Sequence, residues 1–357
     1  MKTRLKRIFK TFFKVIGILL LLFFIASLIP MSEVIPKIKP RKSTEYWELA
    51  DGFKIAYTKV SADTIVDSSP IIFLHGGPGG YIQTSIIDEM KHVAQQGYNV
   101  YLYDQIGSGL SDRLPKPRDY SFDRHLIDLE EIITKHIKAT KVILIGQSYG
   151  AELVAHFTAR HPNLVDKVVF TSPGPLNPYI EDENGMPLDM STLYVKPDTL
   201  LFKNPISDAS AEKAMLFHLL KPRMIMSNIS SIFFNMKWAS DDEMDGAVNA
   251  MASKFTAGMV CDPNNVIPEE GGGGGYSHMF SNFYIDVPDV REKLKQLKIP
   301  ALVIHGQCDN IASYAEAYEY ADLLNGEYLM IKDAGHEIWW EQAGIFIDHI
   351  NRFLSEN

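Results

Sequence analysis

From residue 43 onward, short runs of strand type alternate with stretches in which apolar residues recur at helical spacing. Eight runs have the strand pattern: Tyr46–Leu49, Lys54–Lys59, Ile71–Leu74, Val100–Tyr103, Val142–Ile145, Val168–Thr171, Ala301–Ile304 and Tyr328–Ile331. The helical stretches that separate most of them are Ile82–Gln96, Phe122–Ile137, Ala151–Arg160, Tyr314–Leu324 and Glu337–Phe353. This alternation predicts an α/β fold with a mostly parallel sheet flanked by helices. Asp51-Gly52, between the first two runs, predicts a hairpin.

The alternation is interrupted between Pro173 and about Pro300. This part of the chain contains Met-rich segments of helical pattern, separated by prolines and by the glycine run Gly271–Gly275. Because the strand pattern resumes afterwards, we interpret residues 173–298 as a cap inserted between two strands of one sheet. Residues 43–172 and 299–357 then form the core. The glycine run predicts a flexible loop, with a hinge for cap motion as the alternative.

The first thirty residues have the pattern of a membrane-targeting segment. The apolar run Val15–Ile29 follows six cations: Lys2, Arg4, Lys6, Arg7, Lys10 and Lys14. The run alone fits the apolar part of a signal peptide, whereas including the two preceding phenylalanines gives about 20 residues, enough to cross a bilayer. Ile25-x-Ser27 is a poor cleavage site. We therefore expect residues 1–30 to be an uncleaved signal anchor, with a cleaved signal peptide as the alternative.

The charge of the 357-residue chain is unevenly distributed. The net charge is −9, but residues 1–42 hold ten Lys and Arg and one acid, so the remainder has 25 bases, 43 acids and a net charge of −18. Such a body repels phosphate backbones, and we expect no nucleic-acid partner. With the membrane segment, the sequence predicts a membrane-anchored body outside the cytoplasm, or a secreted one. Residues 31–42 predict an extended stalk between anchor and body.

A five-residue motif follows the strand pattern Val142–Ile145. Gly146-Gln147-Ser148-Tyr149-Gly150 leads from this strand into a helix, which is the context of a Gly-x-Ser-x-Gly nucleophile elbow. Its glycines allow a strained turn that lifts the serine Oγ above the sheet edge. Ser148 is therefore the candidate nucleophile. The alternative is an ordinary strand-to-helix turn with a capping serine.

A nucleophilic serine needs a histidine to take its proton and an acid to orient that histidine. In folds with this motif the chain order is serine, acid, histidine. Asp309 and His336 each follow a strand pattern, at strand ends where open α/β sheets bind their ligands. The sequence thus predicts the triad Ser148, Asp309 and His336, with Asp333 as the reserve acid.

The run His75-Gly76-Gly77-Pro78-Gly79-Gly80 directly follows the strand pattern Ile71–Leu74. Attack on a carbonyl creates an oxyanion, which needs backbone donors arranged in advance. We predict the N–H groups of Gly77 and Tyr149 as these donors. The run lacks the glycine and lysine spacing of phosphate-binding loops.

Together these motifs resemble those of a known family. The set is similar to that of the proline iminopeptidase family of α/β-hydrolases, and the match extends from about residue 45 to the C-terminus: His75–Gly80, Asp104-Gln105-Ile106-Gly107-Ser108-Gly109-Leu110-Ser111, Gly146–Gly150, Asp309 and His336. The resemblance implies an α/β-hydrolase fold with an inserted helical cap. It also implies a cofactor-free serine peptidase that releases N-terminal proline or other residues from short peptides.

The cap departs from the pattern of that family. Family members hold the α-amino group of the substrate with acids in Trp-x-x-Trp-Glu and Glu-x-His-Tyr-Phe patterns, and neither glutamate is present around Trp238 or His278. Amine recognition is then either absent or carried by other cap residues. The candidate substrate-binding residues are Glu212, Asp241, Asp242, Glu243 and Trp238. Met-rich cap segments predict an apolar lining, broad specificity and weak preference for proline.

Two other functions would fit the same motifs. A carboxylesterase acting on small acyl substrates is the nearest rival, and a non-catalytic ligand-binding protein with the same fold is a more distant one. Cys261 lies in the cap and Cys308 precedes the triad acid, so we do not expect them to form a disulfide, although an oxidising compartment would allow it. Metal-ligand spacings are absent, and we expect no metal or cofactor. No oligomeric state is predicted.

Overall fold

The computed structural model describes residues 2–33, 35–66, 69–194, 220–281 and 287–356. Within these ranges the chain forms an eight-stranded sheet of order β1-β2-β4-β3-β5-β6-β7-β8. Its strands are β1 Thr44–Glu48, β2 Lys54–Ser61, β3 Ile71–Leu74, β4 Asn99–Tyr103, β5 Val142–Gln147, β6 Val165–Thr171, β7 Ala301–Gly306 and β8 Glu327–Ile331. β2 is antiparallel to β1 and β4, and the other neighbours are parallel. The predicted mostly parallel α/β sheet is confirmed.

The α-helices of the described ranges comprise the N-terminal apolar helix, the helices that flank this sheet and the helices of the cap. They are α1 Lys2–Ser27, α2 Thr84–Ala94, α3 Phe122–Glu131, α4 Tyr149–Arg160, α5 Pro222–Phe234, α6 Asp241–Phe255, α7 Gly275–Phe280, α8 Arg291–Leu294, α9 Tyr314–Leu324, α10 Ile338–Glu341 and α11 Ala343–Ser355. α6 and α9 begin with capping boxes, Ser240 with Glu243 and Ser313 with Glu316. The single helix expected over Glu337–Phe353 is divided at Gln342, whose φ of −133° is not helical.

The hydrophobic core lies on both faces of the sheet. α2, α10 and α11 cover one face, and α3, α4 and α9 cover the other. Within β5, Val142 and Leu144 pack on the α4 side, whereas Ile143 and Ile145 pack on the α2 side. Successive strand residues point to opposite faces, so a strand covered on both sides must be apolar throughout. This is why the central strands are continuous apolar runs.

The glycine run of the cap is tightly packed, and the expectation of a flexible loop is wrong. Gly272–Gly275 are buried. Gly274 N–H donates to the Gly79 carbonyl at 2.8 Å, and Gly109 N–H donates to the Gly272 carbonyl at 2.7 Å. A Cβ on Gly274 would collide with the Gly107 carbonyl. The run is glycine-rich because it is pressed between two loops of the core.

A disulfide joins Cys261 of the cap to Cys308, with their Cα atoms 5.3 Å apart. The expectation that these cysteines remain unpaired is wrong. They are 47 residues apart in the sequence, and only the folding of the cap over the loop after β7 brings them within the distance a disulfide requires.

The stalk does not stand free of the body. Met31 N–H donates to Glu243 at 2.9 Å, Lys37 pairs with Asp242 at 2.9 Å, and Arg41 pairs with Glu270 at 2.7 Å. Lys221 also pairs with Glu33. The described part of the stalk therefore lies along the cap and is bound to it at several points.

α1 includes Lys6–Ser27, a segment of 22 residues that is long and apolar enough to cross a membrane, with a mean hydropathy of 2.4 over its most apolar 18-residue stretch. Its last turns contact the cap. The rings of Phe24 and Trp238 pack edge to face with centroids 5.8 Å apart, and Trp238 Nε1 donates to the Ser27 carbonyl at 3.0 Å.

Candidate active site

Ser148 lies at the sharp turn between β5 and α4. Its backbone has φ 52° and ψ −119°, a conformation that L-residues rarely adopt. Its N–H donates to the Thr171 carbonyl at 3.0 Å, and a Cβ on Gly150 would collide with the Leu74 carbonyl. The neighbouring backbone therefore holds the strained turn in place. The side chain is almost buried, with 8% exposure, and lines a cavity.

Asp309 and His336 form a buried hydrogen-bonded pair. His336 Nδ1 lies 2.9 Å from Asp309 Oδ2 and 3.1 Å from Oδ1. Asp309 Oδ1 also accepts the N–H groups of Ile311 at 2.9 Å and Ala312 at 3.0 Å. These donors fix the carboxylate, and the carboxylate fixes the histidine ring with its Nδ1–H pointing to Asp309.

The electrostatics of this pair suit a general base. Burial alone would lower the pKa of His336, but the charge and hydrogen bond of Asp309 raise it above the ordinary value. Burial alone would raise the pKa of Asp309, but His336 and the Ala312 N–H lower it below the ordinary value. Asp309 is therefore ionised, and its charge would stabilise an imidazolium at His336. The reserve acid Asp333 is exposed, and its carbonyl accepts a hydrogen bond from Gln342.

The cap supports the loop that carries His336. His336 N–H donates to the Met259 carbonyl at 2.8 Å. The carboxylate of Glu341 accepts the N–H of Gly335 at 2.7 Å and the N–H of Cys261 at 2.8 Å. Cap residues 259–261 and the histidine loop are thus tied together, and Glu341 is a positioning residue that the sequence analysis did not single out.

His75 holds the glycine-rich loop after β3. Its Nε2 accepts the Gln105 N–H at 3.0 Å, so its Nδ1 carries the proton and donates to the Gly76 carbonyl at 2.8 Å. Burial lowers the pKa of His75 to about 4, which keeps the ring neutral at neutral pH. A Cβ on Gly76 would lie 2.9 Å from Ser148 Cβ, so this backbone passes directly beside the serine. The donor roles of Gly77 and Tyr149 stay predictions.

A cavity of about 340 Å³ opens beside these groups. Ser148 and His336 line it, together with Gly76 and Gly77 of the loop after β3. Its other walls are mostly apolar and include Phe73, Val248, Met251, Phe255, Met259, Ile311 and Trp339. The structure therefore brings the predicted serine, the histidine and the glycine-rich loop to one apolar cavity, where a reacting carbonyl would be shielded from water.

The α/β hydrolase fold family matches residues 69–343, most of the chain and all of this site. The chain belongs to the α/β-hydrolase family. This hydrolase is 22% identical over 294 residues to a proline iminopeptidase of Saccharolobus solfataricus. The alignment covers 80% of this chain and 84% of that relative. It is 23% identical over 327 residues to a proline iminopeptidase of Clostridioides difficile, covering 88% and 99%. The predicted resemblance to proline iminopeptidases is confirmed.

Among solved structures, the hydrolase is similar to an esterase from Exiguobacterium antarcticum. The TM-score is 0.61 with 16% sequence identity, and the match covers 87% of this chain and 99% of the esterase. At this identity the likeness concerns the fold, and it confirms the predicted α/β-hydrolase fold.

The four described cap residues that were predicted to bind substrate do not line the cavity that holds Ser148. Asp241 pairs with Lys237 at 2.6 Å, Asp242 pairs with Lys37, and Glu243 pairs with Arg223 at 2.9 Å while closing the capping box of α6. These three acids line a second cavity beside the stalk. The pattern of acids is explained by the first turn of α6, where negative charge stabilises a helix.

Trp238 and Glu212 were the other two predicted substrate-binding residues. Trp238 contacts the last turns of α1 instead of the catalytic cavity. Glu212 lies outside the described residues.

Two carboxylates that the sequence analysis missed, Glu269 and Glu337, line the catalytic cavity. Glu269 accepts the hydroxyl of Tyr81 at 2.8 Å and the N–H of Gly271 at 2.7 Å. Burial raises the pKa of Glu337 to about 7; the charge of His336 opposes this rise, and that of Glu269 adds to it. Glu337 directly follows the predicted catalytic histidine, and this position in the sequence could have indicated that it lies near the site. Glu269 carries no such signal, because only the packing of the glycine run turns it toward the cavity.

Proposed function

We propose that this hydrolase is a serine aminopeptidase, which cleaves the amide bond after the N-terminal residue of short peptides through an acyl-enzyme on Ser148. The observation that carries the proposal is a single cavity lined by Ser148, by His336 with its Asp309 partner behind it, and by the carboxylates of Glu269 and Glu337. The similarity to proline iminopeptidases supports the same substrate class.

In the proposed mechanism, Ser148 Oγ attacks the carbonyl carbon while His336 Nε2 takes the hydroxyl proton. The N–H groups of Gly77 and Tyr149 hold the oxyanion, and Asp309 stabilises the imidazolium. His336 then gives its proton to the leaving amine, and the C–N bond breaks. Water attacks the acyl-enzyme with His336 as base, and the proton returns to Ser148 Oγ as the acid is released.

The two cavity carboxylates suit a substrate with a free α-amino group. An ammonium that enters an apolar cavity unpaired loses several kcal/mol of solvation. Glu269, which the Tyr81 hydroxyl positions, and Glu337 line the same cavity as Ser148 and His336. We therefore assign amine recognition to Glu269 and Glu337, in place of the acids of α6.

The test compares kcat/KM for an alanine arylamide, a proline arylamide, an N-blocked analogue and a short-chain nitrophenyl ester. Glu269→Gln and Glu337→Gln should lower kcat/KM for the free amines at least about tenfold, or 1.4 kcal/mol, and leave the ester within about twofold. Glu292→Gln is the matched control, because this glutamate is exposed on α8 and does not line the cavity. Equal effects on the arylamides and the ester would contradict amine recognition by these two residues.

A carboxylesterase is the second candidate, favoured by the mostly apolar lining of the cavity. In that case the ester and the N-blocked analogue are preferred over both free amines in the same panel. A fluorophosphonate probe separates both enzymes from a non-catalytic binding protein, since only an activated Ser148 reacts covalently.

We also propose that α1 is retained as a membrane anchor and that the body lies outside the cytoplasm. The contacts of Trp238 and Arg223 with the Ser27 carbonyl support retention, because cleavage after Ser27 would remove the chain that they bind. Sequencing the N-terminus of membrane-extracted protein tests this. A mature N-terminus after Ser27 would establish the secreted alternative.

A further inference from the structure

We propose that an apolar face of the cap rests on the membrane that α1 enters, so that the cap as well as the anchor contacts lipid. The inference rests on the proposed anchor. The face, here called the lipid face, consists of Ile229, Ile232, Phe233, Phe234 and Met236. Phe233, Phe234 and Met236 are 71%, 68% and 61% exposed.

The lipid face is one side of an amphipathic helix. Positions 229, 232 and 233 recur at helical spacing on α5, so their side chains lie on one side of the helix. Phe234 and Met236 are exposed at the C-terminal end of α5, on either side of the left-handed C-cap residue Asn235. The opposite positions, Met224, Ser227, Ser230 and Ser231, are buried. The small serines allow α5 to pack closely on the body, while the large apolar side chains are turned outward. Contiguous exposed apolar side chains of this size are unusual on a soluble surface and indicate a binding surface.

The contacts between α1 and the cap determine where the lipid face lies relative to a bilayer around α1. Phe24, which packs on Trp238, lies three residues before the end of α1 and five residues before the end of the apolar run Val15–Ile29. A bilayer that surrounds this run therefore reaches Trp238. Met236 precedes Trp238 by only two residues.

The bilayer that surrounds α1 would therefore also cover the lipid face. Arg223 Nη1 donates to the Ser27 carbonyl at 3.2 Å, so the start of α5 is held at the same end of α1. Trp238 is at the boundary, where tryptophan is favoured because one side of its ring meets lipid and its N–H meets a polar partner. An amphipathic helix with an outward apolar face in this position fits an interfacial location, parallel to lipid headgroups.

The experiment measures lipid depth at single sites in the full-length chain, reconstituted in nanodiscs at one copy per disc. Cys261 and Cys308 are paired, so a spin label reacts with an introduced cysteine. The probe site is Phe233→Cys. Leu20→Cys on α1 is the control for the membrane interior, and Ile345→Cys on α11 is the control for water; these native side chains are 63% and 47% exposed. Each label is tested for collision with oxygen, which concentrates in lipid, and with a water-soluble nickel chelate.

The expected result is a rise in the oxygen-to-nickel collision ratio at position 233 relative to position 345, toward the value at position 20. A label at position 233 that matches position 345, while position 20 remains lipid-like, would overturn the lipid face and leave the anchor intact. A water-like label at position 20 would overturn the anchor and the inference together. Protection of position 233 that appears only with two copies per disc would show that a second chain covers the face, which also contradicts the proposal.

Discussion

At the scale of single residues, the Asp309–His336 pair was predictable because its signals are local. Each residue lies in the loop after a strand, and the chain order serine, acid, histidine is that of folds with a nucleophile elbow. The amine-binding candidates were not predictable in the same way. Asp241, Asp242 and Glu243 form an obvious acidic cluster, but helix capping and ion pairs explain them. Glu269 is brought to the cavity only by tertiary packing.

The first residue-scale prediction concerns the triad. Ser148→Ala and His336→Ala should each lower kcat by about 10³-fold or more, and Asp309→Asn somewhat less, because the amide still holds the ring but does not stabilise its charge. The double variant Ser148→Ala/His336→Ala should be little worse than either single variant. Steady-state rates with thermal melting as a folding control check this. Substantial turnover by folded Ser148→Ala would exclude the acyl-enzyme mechanism.

The second residue-scale prediction concerns pH. Glu337 has a pKa raised to about 7, so below pH 7 it becomes neutral and loses its attraction for an ammonium. Above about pH 8 the substrate amine itself is deprotonated. The ratio of kcat/KM for an alanine arylamide to that for an N-blocked ester should therefore be bell-shaped, and dividing the two removes the shared titration of His336. Glu337→Gln should abolish the acidic limb of the ratio. An unchanged acidic limb would assign it to another group.

At the scale of elements, patterns within one strand or helix predicted structure well, and patterns that depend on neighbours did not. The helix expected over Tyr314–Leu324 has those bounds, since its capping box and periodicity are local. The glycine run was expected to be flexible. A run of glycines occurs both in flexible loops and where backbones pack closely, and the sequence alone does not distinguish the two. The Cys261–Cys308 disulfide was not predicted, because the two cysteines are brought together only by the packing of the cap on the loop after β7.

The element-scale prediction concerns the ties between the cap and the histidine loop. Cys261→Ser/Cys308→Ser removes a covalent link across 47 residues and should lower the free energy of unfolding by about 2–4 kcal/mol. Glu341→Gln should lower kcat for every substrate in the panel, because Glu341 holds both Gly335 and Cys261. Chemical denaturation and steady-state kinetics measure the two effects. Glu316→Gln, which alters the capping box of α9 instead, is the control for kcat. A wild-type kcat in Glu341→Gln would show that the histidine loop keeps its position without this carboxylate.

At the scale of the whole molecule, the stalk connects the apolar helix α1 to residues beside the candidate active site. Arg41 binds Glu270 and the Ile82 carbonyl, and Glu270 is adjacent to Glu269 of the cavity. Met31, Glu33 and Lys37 bind α6 and the start of α5. Because the stalk contacts the start of α5, α6 and the segment with Glu270, α1 and the body pack together, and the stalk is more than a spacer.

This arrangement predicts that the position of an N-terminal truncation matters. A chain that begins at Met31 keeps the bonds of the stalk, whereas one that begins at Ser43 loses them and leaves Glu243, Asp242 and Glu270 without these partners. Both should be released from membranes, since both lack α1. The shorter chain should melt at a lower temperature and show a lower kcat/KM for free-amine substrates, because Glu269 lies on the segment that Arg41 holds. Arg41→Ala in the full-length chain should reproduce part of that kinetic loss without removing the anchor. Equal melting temperatures and equal kcat/KM for the two truncated chains would mean that the stalk contacts stabilise neither the cap nor the cavity.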